Sequence, residues 1–174
     1  VNTSPSTDGG VAFFGADELR SGVSIACFMV VMSKTGTGAN MNIGVVDATV
    51  APKYAENGTA VAWALNVYLG VLFTFKNPVE TNCCQAMTDC KRLGKAAKDG
   101  KIANGILVEL TIDMDRRKLL VSVAGAPAVD AEVALPASVR LWCSLLKIRD
   151  SVQLLSFSKG GGAQAVPAAA APTL

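Results

Sequence analysis

The chain has 174 residues, and since domains typically run to about 100–200 residues, we expect one domain with a hydrophobic core of its own. Lys and Arg number 16 and Asp and Glu number 14, so the formal net charge of +2 provides no strong global attraction to nucleic acid or to an anionic membrane. The sequence contains no histidine, which excludes Ser-His-Asp and Cys-His catalytic groups and zinc sites that use imidazole.

The two ends of the chain differ in composition from its centre. Residues 1–10 are rich in Asn, Thr, Ser, Pro, Asp and Gly and predict a flexible N-terminal tail. Residues 159–174 are almost all Gly, Ala and Pro and predict a flexible tail or linker. The segment between them, residues 11–158, is the predicted domain.

The first half of this segment predicts several strands. Residues 23–32 and 41–46 are densely apolar, which is typical of strands that are covered on both faces. Val61, Trp63 and Leu65 alternate with smaller residues, and the same period of two continues over residues 71–75. Large aromatic side chains contribute much apolar area, so Trp63 and Trp142 are expected to anchor the core.

The second half contains a predicted β-hairpin. Apolar residues occupy every second position of 105–114, the polar stretch 113–118 interrupts the pattern, and 119–123 resume it. Two further strands are predicted over 139–145 and 151–157. With at least eight short strands, the chain is expected to be all-β, an antiparallel two-sheet sandwich of the jelly-roll, concanavalin A-like type. Only 85–98 has uneven helical spacing, which predicts a short helix or an irregular insertion there.

Two groups of residues are candidate metal ligands. Cys83, Cys84 and Cys90 lack a CxxC pair, and Asp113 and Asp115 flank a turn beside three basic residues, where local charge pairing accounts for them. We therefore expect no metal and no cofactor. The basic segment from Lys91 to Lys101 is predicted to be a solvated loop, with contact to phosphate or to an acidic partner as the alternative.

The cysteines and the apolar runs bear on localisation. Five cysteines are an odd number, which favours reduced thiols over a disulfide framework, and no signal peptide pattern begins the sequence. The longest apolar stretch, residues 23–32, is shorter than the ~20 residues of a membrane helix. The expectation is a cytoplasmic protein, with the nucleus as an alternative, that binds no membrane.

Several motifs, taken in order, resemble the SPRY domain of the B30.2 family. The sequence LRSGVSIACFMVV begins at Leu19, NIGVVD begins at Asn42 and AVAWALN begins at Ala60. The hairpin sequence LVELTIDMDRRKLLVSVAGAPA follows, and LPASVRLW, which begins at Leu135, and DSVQLL, which begins at Asp150, match the family at its last two strands. The resemblance covers roughly residues 11–158 and is specific as an ordered set of motifs.

This resemblance implies an intracellular, adaptor-like interaction module without catalytic activity, which binds a peptide or a partner protein through loops at one end of the sandwich. The loops it assigns are 33–40, 47–58 and 147–150, and the basic groups among them imply an acidic or amide-rich partner. The expected partner-binding residues are Lys53, Tyr54, Tyr68, Val71, Lys147, Ile148 and Arg149. A jelly-roll domain that binds or cleaves glycans is the alternative.

Overall fold

The computed structural model describes residues 2–5, 11–31, 41–49, 61–67, 70–76, 91–92, 105–145 and 151–160. All of the regular elements in these ranges are β-strands. They are β1 (Asn2–Pro5), β2 (Val11–Phe14), β3 (Val23–Val31), β4 (Met41–Asp47), β5 (Val61–Asn66), β6 (Val71–Lys76), β7 (Lys91–Arg92), β8 (Leu107–Asp113), β9 (Lys118–Val123), β10 (Val129–Asp130), β11 (Val139–Leu145) and β12 (Ser151–Lys159). No helix within these ranges has the length and hydrophobicity needed to cross a bilayer.

The strands form two sheets in which every pairing is antiparallel. A seven-stranded sheet has the order β1-β2-β11-β4-β5-β6-β7, and a five-stranded sheet has the order β10-β9-β8-β3-β12. The predicted antiparallel sandwich is confirmed. Among these strands the chain passes between the two sheets five times, including from β3 to β4 and from β11 to β12.

The core lies between the two sheets and uses every second residue of each strand, as the period of two requires. The five-stranded sheet contributes Phe28, Val30, Val108, Leu110, Ile112 and Val121, and the seven-stranded sheet contributes Met41, Ile43, Val45, Leu65 and Val139. The predicted hairpin is confirmed as β8 and β9, joined by a turn in which Arg117 has a φ of 57°.

The outer side chains of β4 and β5 in the seven-stranded sheet are buried as well, so β4 is buried along almost its whole length, as predicted. Trp142 differs from the expectation. It is buried, but it pairs in register with Gly44 and lies on the outer face, whereas its neighbour Cys143 faces the core. Trp63 packs against the core as expected.

One other prediction is corrected, and two short strand pairings fall within segments that were expected to be a tail and an insertion. β3 is covered on one face only, because its alternate side chains point outward and leave Ile25 39% exposed. Asn2–Pro5, expected in a flexible tail, pairs with β2, since backbone hydrogen bonds form a ladder without apolar side chains. Lys91–Arg92, within the predicted helix or irregular insertion, is a strand paired with β6, and the remainder of 85–98 lies outside the described residues.

The register defines two ends of the sandwich. At the Met41 end, Met41 pairs with Leu145 and Val31 pairs with Ser151, so the crossings after β3 and β11 both leave from there. At the Asp113 end, Asp113 pairs with Val23 in one sheet, and Asp47 pairs with Val139 in the other. These two ends separate the possible binding loops.

Candidate functional site

Most of the sequence-predicted binding residues lie outside the described ranges. For Tyr68, Lys147, Ile148 and Arg149, the flanking strand ends are described and all belong to the Met41 end. Val71 begins β6 opposite Asn66, also at this end. The Met41 end therefore collects the connections after β3, β5 and β11.

The segment 47–58 does not leave the sandwich at the Met41 end. Its flanking strands end at Asp47 and begin at Val61, and Asp47 pairs with Val139 at the Asp113 end. The expectation that all three loops leave one end is therefore corrected, because β4 runs antiparallel to β11 and carries the chain to the other end. Lys53 and Tyr54 themselves lie outside the described residues.

A cleft of about 310 Å³ lies on the outer face of the five-stranded sheet and extends toward the Met41 end. Its floor is a row of three residues in register across three strands, Cys27 on β3, Glu109 on β8 and Ser122 on β9. Side chains opposite each other on antiparallel strands have Cβ atoms ~5 Å apart, so these three groups are neighbours. The remaining lining residues are Leu107, Gly125, Ala126 and Ala128.

One wall of this cleft is the turn that follows β9. Ala124 and Gly125 have φ values of 55° and 72°, and the Ala126 amide donates to the Val123 carbonyl over 3.0 Å. Two successive positive φ angles closed by this hydrogen bond correspond to a type I′ turn, whose twist matches that of the strands. The Ser122 hydroxyl donates to the Ala126 carbonyl over 2.6 Å and holds the returning chain beside β9.

The cleft is bordered by exposed apolar side chains. Leu107, at its rim, is 45% exposed, and Ile25 and Val31, which share the outer face with Cys27, are 39% and 37% exposed. Apolar side chains grouped on an open face beside a cleft are typical of interaction surfaces. Binding of a partner to this face would therefore release water from exposed apolar surface.

The Cys27 thiol on the floor of the cleft is not an activated nucleophile. Burial raises its pKa, and the Glu109 carboxylate on the neighbouring strand raises it further. Burial also raises the pKa of Cys143, which faces the core, to about 12. Since the thiolate is the reactive form of cysteine, both side chains act as small apolar groups near neutral pH.

Among the residues the structure describes, Glu109 is the one charged residue that lines the cleft, and it has no ion pair or hydrogen bond with any of them. Other described carboxylates have local partners. Those with a hydrogen bond or an ion pair are Asp17, Glu18, Asp47, Asp113, Asp115 and Asp130. The cleft thus presents a negative charge that the described part of the chain does not neutralise.

At the Asp113 end, several charged side chains pair with one another. Glu18 accepts hydrogen bonds from Arg20 and Arg140, which lower its pKa, and Lys159 lies 3.0 Å from Asp17. Arg140 also donates to the Ala16 carbonyl. These contacts tie the segment before β3 to β11 and β12.

The candidate metal ligands Asp113 and Asp115 have structural roles. Asp113 accepts a hydrogen bond from the Arg116 amide, and Asp115 accepts one from the Gly22 amide, both within 2.9 Å. No group of three or more potential metal ligands occurs among the described residues. Cys83, Cys84 and Cys90 lie outside them.

Comparison with proteins of known structure identifies the fold. No family model matches the sequence, and no curated protein matches it. The SPRY domain of human HERC1 is similar over 83% of this chain and 81% of its own, with 16% identity and a TM-score of 0.56. The fold is SPRY-like. The resemblance found in the sequence motifs is confirmed at the level of the fold.

Carbohydrate-binding proteins share this architecture. The carbohydrate recognition domain of Emp46p, in its metal-free form, covers 88% of this chain and 78% of its own, with 10% identity and a TM-score of 0.54. The carbohydrate-binding module CBM66 from Bacillus subtilis covers 92% and 91%, with 6% identity and a TM-score of 0.51. Identities this low show the fold alone, so function depends on the site.

Proposed function

We propose that this chain is a non-catalytic interaction module that binds a peptide segment of a partner protein at the Met41 end of the sandwich. The observation that carries the proposal is the cleft at Cys27, Glu109 and Ser122, which is bordered by exposed Leu107. The type I′ turn and the sheet fix the shape of this cleft. A rigid, partly apolar groove favours binding because little ordering entropy is lost.

The loops at the Met41 end extend the proposed surface. Lys147 and Arg149 lie between β11 and β12, and Tyr68 lies between β5 and β6. Basic and aromatic side chains are frequent anchors of protein interfaces. We propose that Lys147, Ile148 and Arg149, with Tyr68 and Val71, contact an acidic or amide-rich part of the partner.

Glycan binding is the second candidate, because the carbohydrate recognition domain and CBM66 share the fold. Sugar sites typically combine several polar side chains with an aromatic ring on which the sugar stacks. Among the described residues, the cleft has one carboxylate and one hydroxyl that already donates to Ala126, and no aromatic ring lines it. The cleft therefore favours a peptide.

A capture experiment with the full chain tests the proposal. Wild type, Arg149→Ala and Tyr54→Ala are each immobilised, and bound proteins from a cell lysate are identified by mass spectrometry. Residue 149 follows β11, which ends at the Met41 end, and residue 54 follows β4, which ends at the Asp113 end, so the two variants are matched. We expect Arg149→Ala to lose partners that Tyr54→Ala retains, with binding weakened by roughly 1–3 kcal/mol.

Equal recovery of every protein by all three chains would contradict a site at the Met41 end. An array of immobilised glycans, probed with the same wild-type chain, separates the two candidates. Saturable binding to the array, with no partner dependent on residue 149, would replace the peptide proposal with the glycan one.

A further inference from the structure

The cleft on the five-stranded sheet contains one carboxylate, Glu109, that has no counter-charge among the residues the structure describes. The carboxylate of Glu109 lies between Cys27 and Ser122 in the cross-strand row, and neither neighbour is a cation. Along β8 the two residues that flank Glu109 on the same face are Leu107 and Thr111, which are neutral too. The nearest described side chains on all sides are therefore uncharged.

Mostly small or apolar residues line the cleft around this carboxylate. Leu107, Ala126 and Ala128 give it apolar walls, and Gly125 leaves one wall open, since no heavy atom would lie within 4 Å of a Cβ there. Long basic side chains pack their methylene groups on apolar surface while the charged group reaches a carboxylate. The walls fit such a stem, and the floor fits its head group.

We propose that this cleft binds an arginine or lysine side chain of a partner peptide, with Glu109 as the residue that selects it. The inference rests on the proposed function and adds the class of partner. The basic residue enters beside Leu107, its stem lies along Ala126 and Ala128, and its head group donates charge-assisted hydrogen bonds to the Glu109 carboxylate. Arginine is the better fit, because its planar group can donate two parallel bonds to one carboxylate.

The partner segment then has two charge requirements. The loops at the Met41 end carry Lys147 and Arg149, which favour acidic or amide groups, and the cleft nearby carries Glu109, which favours a base. A segment that has both charges a few residues apart can satisfy both. A segment with one of them is selected less strongly, since specificity depends on leaving no buried charge unpaired.

The test is selection from a random dodecapeptide library displayed on phage. The baits are the full chain as wild type, Glu109→Gln and Asp17→Asn. Glu109→Gln keeps the size of the side chain and removes its charge. Asp17→Asn removes one charge at the other end of the sandwich, where Asp17 pairs with Lys159, and serves as the matched control. Thermal melts confirm that the three chains are equally folded.

We expect wild type and Asp17→Asn to enrich peptides with an arginine or lysine flanked by small apolar residues, and Glu109→Gln to lose this enrichment. A synthetic copy of one selected peptide should bind Glu109→Gln about fivefold more weakly than wild type, the effect of losing one solvent-exposed ion pair. Its affinity for wild type should also fall more steeply with added salt than its affinity for the variant.

Three outcomes would overturn the inference. If wild type and Glu109→Gln enrich the same basic peptides, Glu109 does not select them. If the enriched peptides lack basic residues and bind both chains equally, the proposed function stands and the partner class is wrong. If no peptide is enriched by any bait, or if wild type forms a dimer that Glu109→Gln abolishes, the cleft is not a site for a partner peptide.

Discussion

The outer faces of the two sheets have opposite characters. On the seven-stranded sheet, Val46, Ala62 and Ala64 are fully buried, and a row of polar side chains is buried beside them. On the five-stranded sheet, Ile25, Val31 and Leu107 are more than a third exposed. Both faces contain polar groups among apolar ones, so composition does not distinguish them.

The two faces differ in how their polar groups are satisfied. The Asn66 side-chain amide donates to the Asn42 side-chain oxygen over 3.1 Å, and the Asn42 amide donates to the Ser144 hydroxyl over 2.9 Å, so two amides and a hydroxyl on three neighbouring strands bond to one another. Glu109 has no such partner among the described residues. Buried polar groups must be paired within the fold, whereas an exposed, unpaired carboxylate can be paired by another molecule.

The cysteines allow a chemical test of burial. Because burial raises the pKa of Cys143 to about 12, its thiolate fraction at pH 8 is about a thousandfold below that of a cysteine at the ordinary value of 9.0. Native alkylation with iodoacetamide at this pH, followed by peptide mapping, should modify Cys143 more slowly than Cys27. Equal rates would show that the inner face of β11 is open.

The same thiol predicts a dependence of stability on pH. The folded state holds the Cys143 proton more tightly than the unfolded state, so between pH 9.0 and about 12 unfolding releases it and the free energy of unfolding falls as the pH rises. The thiol makes no such contribution below this range.

Gly44 tests the contact between β4 and β5. A Cβ at this position would overlap the Trp63 carbonyl oxygen and the Ala64 Cα, which are backbone atoms that cannot rotate away. We expect Gly44→Ala to lower the free energy of unfolding by about 3 kcal/mol or more. Urea unfolding measures this change. Gly125→Ala is the comparison, because Gly125 has a positive φ but open space around an added Cβ.

Asn42 tests the buried polar row. Asn42→Ala leaves the Asn66 amide and the Ser144 hydroxyl without this partner in a buried site, and we expect a loss of about 1–3 kcal/mol in the free energy of unfolding. Glu109→Gln on the other sheet should change it by less than about 0.5 kcal/mol. Similar losses for both variants would remove the distinction between the faces.

The sequence predicted those elements whose alternation was regular and whose turn was polar. The β8–β9 hairpin is the clearest case, because a single apolar row on each strand allows one register only. The alternation of apolar residues could not show which of the two densely apolar strands, β3 and β4, is buried on both faces. β3 and β4 have similar composition, and only the structure shows that the outer side chains of β4 are buried and those of β3 are not.

The site depended on information that a period of two does not contain. Trp142 alternates with Cys143, so either residue could face the core, and the pairing with Gly44 decides between them. The cleft joins residues from positions 27, 109 and 122, which the register brings together. One signal was present in the sequence, since Glu109 is the one charged residue inside the apolar alternation of β8.

The smallest predicted effect concerns the wall of the cleft. Ala124 has a φ of 55°, a left-handed conformation that asparagine adopts at lower cost in a type I′ turn. Ala124→Asn should therefore raise the free energy of unfolding by roughly 0.5–1 kcal/mol. A decrease in urea unfolding would indicate that the turn is of another kind.

The most direct test of the account is a map of backbone amide shifts in a ¹H–¹⁵N spectrum of the full chain, titrated with a peptide selected by the wild-type protein. The account predicts that the amides of Cys27, Glu109 and Ser122 move together as the peptide saturates, along with those of the loops at the Met41 end. At the other end, the Gly22 amide donates to the Asp115 carboxylate. The amide shifts of these two residues should not change. Shifts confined to the Asp113 end would contradict the proposed site.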